Sequence, residues 1–404
     1  MAKDRDETKK KKVKKVRLDK NGNPKKKMSK KKKNLLGVVG FLILMMVGTI
    51  VINKDKNQQS GSFENTFLSG FDSISYPKAY IGNKLVNKLF LMLDKKAEAT
   101  ESWSDSDGTV LYNQSYGKYK QNQYNIYFPK DLDKSKNNSV VLCIHGGQWC
   151  LGSKESMDWM ARRAAKNGYI GVTMGYSLNS FNNPDLARAT GSMEHATVFT
   201  MLDDITACLT TVNELCNSLG INVTGSALTG ESAGSHLAAL YAYSRADESP
   251  IPVKMICVAT LPTSMYADAY DTYKNARDFV PVVEAALDCK ITVDQVTERN
   301  ALIDAVSPVY NINENSCPTL IAFAGNDHTV GMKQCPTIEP VLQENGVPYK
   351  IMWFENSDHT LNKDKGMMKT YTDEAFKWMK VYCDGTMSED ELTFGNTNPA
   401  LSDS

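Results

Sequence analysis

The sequence is poor in the residues that build metal centres. Its nine cysteines, all beyond residue 142, include no Cys-x-x-Cys pair and no zinc-type spacing. That argues against a structural metal, and no cofactor is expected. Cys143, Cys208 and Cys257 lie in apolar runs and read as small buried hydrophobes. None has an evident base beside it, so cysteine catalysis is not expected either. No internal repeat is evident, which sets aside a repeat array. Positive charge is missing where a nucleic-acid-binding domain would need it. Residues 1–34 hold 17 Lys+Arg against 4 Asp+Glu, leaving 30 against 42 in the rest of the chain. An acidic body of that kind is not built to bind nucleic acid.

All charge is absent from residues 35–52, an apolar run of 18 residues. As a helix it spans about 27 Å, close to the hydrocarbon thickness of a bilayer. A cleaved signal peptide has a shorter apolar region and a small-x-small site, and Val51-Ile52-Asn53-Lys54 offers none. The expectation is an uncleaved transmembrane helix. The basic tail 1–34 then stays in the cytoplasm by the positive-inside rule, with residues 53–404 outside the cell. Residues 53–107 read as a linker followed by an amphipathic stretch, Lys84–Leu93, that either caps the next domain or rests on the bilayer. Residues 385–404 are polar and acidic and read as a loosely ordered tail.

Between residues 108 and 384, strand-like and helix-like segments alternate. Strands are expected at Tyr124–Pro129, Ser139–Ile144, Tyr169–Met174, Gly225–Thr229, Val253–Thr260, Thr319–Ala324 and Tyr349–Phe354. Helices are expected at Glu155–Asn167, Met201–Ser218, Ser235–Tyr243, Gly331–Glu344 and Lys365–Tyr382. This rhythm predicts an α/β fold with a mainly parallel sheet covered on both faces by helices. Residues 262–306 interrupt it and read as an insertion above the carboxyl edge of the sheet, where ligands bind.

Chemistry concentrates in Gly230-Glu231-Ser232-Ala233-Gly234, which lies between a strand and a helix. Gly-x-Ser-x-Gly in that setting is a nucleophile elbow: a sharp turn exposes the serine hydroxyl, and the glycines let neighbouring backbone pass close by. A second motif, His145-Gly146-Gly147-Gln148-Trp149, follows an apolar strand. Adjacent glycines there allow peptide N–H groups to approach a substrate oxygen, as oxyanion stabilisation requires, together with the residue after the nucleophile, Ala233.

Ser232 needs a base, and the chain has only five histidines: 145, 195, 236, 328 and 359. His145 lies in the glycine loop and His236 on the helix leaving the elbow, so each reads as support for its own segment. His195 has no assignable acid. His359, just beyond a late strand, is the expected base. Asp327, after the strand Thr319–Ala324, is the expected acid, with Glu355 and Asp358 as rivals and His328 as the rival base.

Taken together, His-Gly-Gly, Gly-Glu-Ser-Ala-Gly, Gly-Asn-Asp-x-x-Val and His359 resemble the α/β-hydrolase fold. More narrowly, they are similar to the hormone-sensitive-lipase-like carboxylesterases and the bacterial feruloyl- and acetyl-esterase-like group. The resemblance covers about residues 108–384. It implies a Ser232, Asp327, His359 triad, with oxyanion donors from Gly146, Gly147 and Ala233. Two positions depart from the pattern. Gln148 stands where a third glycine is usual, and Gly331 where proline is frequent. Trp149 either walls the substrate pocket or anchors the loop.

These readings converge on a membrane-anchored serine carboxylesterase acting on small-molecule or acylated-saccharide esters. A prolyl-oligopeptidase-like peptidase competes, but the residues before 108 are too few for a propeller. A non-catalytic adhesion protein on the same fold also competes, although no triad candidate is missing. Oligomeric state is not legible.

Overall fold

A computed structural model describes residues 101–180, 187–188 and 190–398. The basic tail, the apolar run 35–52, the stretch Lys84–Leu93 and the last six residues lie outside them. No helix among the described residues is long and apolar enough to cross a membrane.

In chain order the elements are β1 (Gly108–Ser115), β2 (Gln123–Pro129), β3 (Asn138–Ile144), α1 (Asp158–Lys166), β4 (Ile170–Met174), α2 (Val198–Ser218), β5 (Val223–Glu231) and α3 (Ala233–Ser244). They continue with β6 (Val253–Ala259), α4 (Ala276–Leu287), α5 (Val293–Thr297), α6 (Ala301–Ala305), β7 (Thr319–Ala324), α7 (Gln334–Glu344), β8 (Tyr349–Phe354), α8 (Met367–Tyr382) and β9 (Gly395–Asn396). Among the described residues the strands form one sheet in the order β1-β2-β4-β3-β5-β6-β7-β8-β9. The pairings of β2 with β1 and β4 are antiparallel, and all others are parallel.

The alternation of side chains along the central strands explains the layers. Val140, Leu142 and Ile144 of β3 face a core shared with Met201, Leu202 and Ile205 of α2, Leu237 and Leu240 of α3, and Ile338 of α7. Val141 and Cys143 face the opposite core, with Met160 and Ala164 of α1 and Ala375, Trp378 and Met379 of α8. Each strand is buried on both faces, which is why it reads as a continuous apolar run. Truncating a fully buried residue such as Leu142 to alanine should cost about 2–5 kcal/mol.

Local chemistry sets the ends of the elements. A capping box of Thr197 and Thr200 starts α2, and the Asn275 side chain accepts from the Asp278 N–H to start α4. The helix expected from Gly331 begins only at Gln334, because Gly331 has φ +89° and belongs to the preceding turn. The end of the chain departs from expectation more clearly. Part of the segment expected to be a loose tail forms β9, which pairs with β8 through Lys350↔Gly395 and Ile351↔Asn396. Lys350 Nζ, buried against Glu374 at 2.7 Å, also donates to Thr393 Oγ1 at 2.5 Å. Strand pairing uses the backbone, so a short polar segment joins the sheet edge without a hydrophobic signature. β1 likewise carries no strong apolar alternation and was not expected as a strand.

Candidate active site

The parallel strands deliver their following loops to one edge of the sheet, and the candidate residues lie on those loops. Ser232 lies between β5 and α3 with φ 53° and ψ −121°. A non-glycine residue held there stores about 1–3 kcal/mol of strain, so the surroundings must fix it. They do so from both sides: the Ser232 N–H donates to Ala259 O at 3.0 Å, and the His236 N–H donates to Ser232 O at 3.0 Å. The motif glycines are dictated by contact. A Cβ on Gly234 would lie 2.1 Å from Ile144 O, and one on Gly230 would lie 2.5 Å from the Gly234 carbonyl carbon.

The loop after β3 presses against this elbow, since a Cβ on Gly146 would come 2.9 Å from Glu231 O and 3.3 Å from Ser232 Cβ. The Gly147 carbonyl accepts from the Cys150 and Leu151 N–H groups at 3.1 and 2.8 Å. His145 Nδ1 lies 2.7 Å from Gly146 O, as a donor in the tautomer that satisfies both groups. Because the C=O of Gly146 and the N–H of Gly147 share one peptide plane and point in opposite directions, this bond also aims the Gly147 N–H. Among the described residues no hydrogen bond uses the N–H of Gly146, Gly147 or Ala233. The His145 ring stacks on Tyr176 at 4.2 Å, and Tyr176 Oη donates to His145 O at 3.0 Å. Burial pushes the imidazole down to about 4, so it stays neutral and serves as a support. Gln148 and Trp149 follow with φ 50° and 60°. Gln148 thus takes the left-handed conformation that a third glycine would adopt without strain.

From the loops after β7 and β8, Asp327 and His359 come together across 32 residues. His359 Nδ1 donates to Asp327 Oδ2 at 2.8 Å. Asp327 Oδ1 accepts the N–H groups of Thr329 and Val330 at 2.8 and 3.0 Å. Burial of this carboxyl opposes its ionisation. The His359 ring and the two backbone donors outweigh that and hold it below the ordinary carboxylate value. The two loops are also joined by their backbones, through Gly325 N–H to Phe354 O at 2.8 Å and Asn326 N–H to Ser357 O at 2.9 Å. The rival acid Asp358 is engaged elsewhere, with Thr360 and with Lys363 at 3.0 Å.

The other histidines sort by environment. The exposed His195 pairs at 3.1 Å with Asp288 of the insertion, whose side chain is buried. His236 is fully buried, and its Nε2 donates to Val306 O at 2.7 Å. Trp149 is 3% exposed and packs edge-to-face on His236, with ring centroids 5.2 Å apart.

Gly331 is explained by a residue that sequence reasoning missed. A Cβ there would lie 2.2 Å from Asp271 Oδ1, which accepts the Met332 N–H at 3.2 Å. Nothing near Asp271 in the sequence signals that contact, and the same is true of Tyr176 beneath His145. Residues 262–306 carry α4, α5 and α6. Gln334 pins the start of this insertion, its Oε1 accepting the N–H groups of Thr263 and Ser264 at 2.8 and 3.0 Å.

Known proteins agree with this architecture. The family model BD-FAE matches residues 124–342, just over half of the chain. A kynurenine formamidase of Salmo salar is 24% identical over 253 residues, covering 62% of this chain and 74% of that protein. Esterase B of Lactobacillus rhamnosis superposes with a TM-score of 0.56 at 17% identity, over 76% of this chain and 96% of the esterase. A bacterial heroin esterase superposes with a TM-score of 0.56 at 16% identity, over 76% and 93%. With the elbow, the glycine loop and the parallel sheet in place, the chain belongs to the BD-FAE family and is a hydrolase of the carboxylesterase type on the α/β-hydrolase fold.

Proposed function

We propose that this protein is a membrane-anchored serine carboxylesterase that works through an acyl-enzyme on Ser232. The observation that carries the reading is the Asp327–His359 hydrogen bond at the sheet edge that also carries Ser232 at its elbow. With its Nδ1–H donated in a hydrogen bond to the Asp327 carboxylate, His359 has Nε2 as its basic nitrogen. It takes the Ser232 proton as the hydroxyl oxygen attacks the ester carbonyl. The Gly146, Gly147 and Ala233 N–H groups hold the resulting oxyanion, and His359 returns the proton to the leaving alcohol. Water then repeats the cycle on the acyl-enzyme and releases the acid.

The proposed substrates are small carboxylic esters, free or on saccharides. The proposed location is the outer face of a cell membrane, with residues 35–52 as a single span and the N-terminus in the cytoplasm. Its support is the uncharged run flanked by a tail of 17 basic residues.

The test is hydrolysis of short- and medium-chain p-nitrophenyl esters by the full-length chain purified from membranes in mild detergent, beside Ser232→Ala. Turnover confined to the wild type, with both proteins retained in membranes after alkaline carbonate extraction, is the expected result. Absence of turnover together with failure of a fluorophosphonate to label Ser232 overturns the esterase reading. Release by carbonate overturns the anchor.

A further inference from the structure

We propose that His236 is a positioning residue that couples the insertion 262–306 to the glycine loop carrying the oxyanion donors. The inference rests on the esterase reading for its kinetic consequence but not for the coupling itself.

His236 stands one helical turn beyond Ser232, and its own N–H donates to the Ser232 carbonyl at 3.0 Å. Its side chain makes two contacts in different parts of the fold. Nε2 donates at 2.7 Å to the carbonyl of Val306, the residue that ends α6 and closes the insertion. A helix-terminal carbonyl of this kind has no partner in its own helix and needs an outside donor when buried. The ring meets Trp149 edge-to-face at 5.2 Å and an interplanar angle of 82°.

Trp149 belongs to a strained stretch of the glycine loop. It and Gln148 are consecutive non-glycine residues with positive φ, directly after Gly146 and Gly147. The Trp149 carbonyl accepts the Asn179 N–H at 2.8 Å, and the ring lies on His236. Trp149 thus adds contacts outside the loop to the bonds made within it, where Gly147 O accepts the Cys150 and Leu151 N–H groups. A Cβ on Gly146 would lie 3.3 Å from Ser232 Cβ, so the loop sits against the elbow and a shift at Trp149 is expected to reach the oxyanion site. His236 is the side chain common to the elbow helix, the strained loop and the end of the insertion. Its ring is neutral, since burial pushes the imidazole down to about 4, so the link needs no charge.

The two contacts can be cut separately. His236→Phe keeps a ring against Trp149 and loses the donor to Val306. His236→Gln keeps an amide donor and loses the ring. In the full-length protein, hydrogen exchange read by mass spectrometry should rise over both 145–152 and 301–308 in each variant. In parallel, kcat per fluorophosphonate-titrated site should fall at least tenfold with KM changed less than threefold. A variant that merely folds less well would lose titratable sites while keeping kcat per site.

The coupling is overturned if each variant deprotects only the segment whose contact it removes. The kinetic role is overturned if kcat per site stays within twofold of an active wild type. Should either variant fail to fold, Trp149→Leu cuts the ring contact from the other side and must deprotect 301–308 if the coupling is real. An inactive wild type would refute the esterase reading alone, because the exchange data still decide the coupling.

Discussion

Replacing Asp327 by asparagine should disable the base while leaving it in place. In the native loop Oδ1 accepts two backbone N–H groups, from Thr329 and Val330, and Oδ2 accepts from His359 Nδ1. Asparagine has a single acceptor oxygen. Turning its NH2 toward the two backbone donors would leave both unsatisfied in a site only 5% exposed, at about 1–3 kcal/mol each. The amide oxygen therefore stays on Thr329 and Val330, and Nδ2 faces His359. Two donors cannot share that contact, so His359 Nδ1 must become the acceptor and its proton moves to Nε2. In the proposed mechanism that is the nitrogen that takes the proton of Ser232.

A histidine locked in the wrong tautomer loses about ten-thousandfold in kcat, or about 5.5 kcal/mol of transition-state stabilisation. The expected result for Asp327→Asn is a kcat lower by about three to four orders of magnitude, with KM changed only a few-fold. Hydrolysis of p-nitrophenyl acetate between pH 5 and 10 measures it. If the variant keeps more than a tenth of wild-type kcat near neutral pH, Asp327 does not govern the tautomer and the argument fails.

The remaining predictions concern the supports of the site. Gly331→Ala should lower the melting temperature and kcat, because its Cβ meets Asp271 Oδ1 at 2.2 Å and φ is +89°. Adding Asp271→Ala should recover the steric part and leave about 1–2 kcal/mol of left-handed strain together with the loss of the Met332 N–H bond, and an unchanged melting temperature in the single variant would refute the clash. Stability should also fall as pH drops from 6.5 toward 4. His145 and His236 have folded values of about 4 against 6.5 when unfolded, so in that window the unfolded chain binds two protons that the folded chain does not. Asp204 has the opposite sign: burial raises it from 3.8 to about 6, so its folded form holds a proton there and cancels roughly one of the two. Urea unfolding at pH 7, 6 and 5 measures the balance: these three groups together contribute about 1.4 kcal/mol per pH unit near pH 5, and Asp158 and Asp384, also raised by burial, oppose it in the same sense as Asp204. Asp204→Asn should steepen the slope, and stability that rises on acidification would refute neutral buried histidines.

The sequence by itself determined what depends on short-range chemistry. Short continuous apolar runs such as Val140–Ile144 and Thr319–Ala324, bounded by turn signals, read as strands buried on both faces, and Gly-x-Ser-x-Gly between a strand and a helix reads as an elbow. These features made the fold class, the family and the candidate residues Ser232, Asp327 and His359 legible. Only the tertiary structure decided which groups meet. It brought His359 to Asp327 across 32 residues, gave His195 an acid from the insertion, and buried His236 between Trp149 and Val306. It also placed Asp271 against Gly331 and added β9 to the sheet edge. Such contacts join segments far apart in the chain through single side chains or backbone pairs. No local pattern encodes them, because their partners become neighbours only once the sheet has formed.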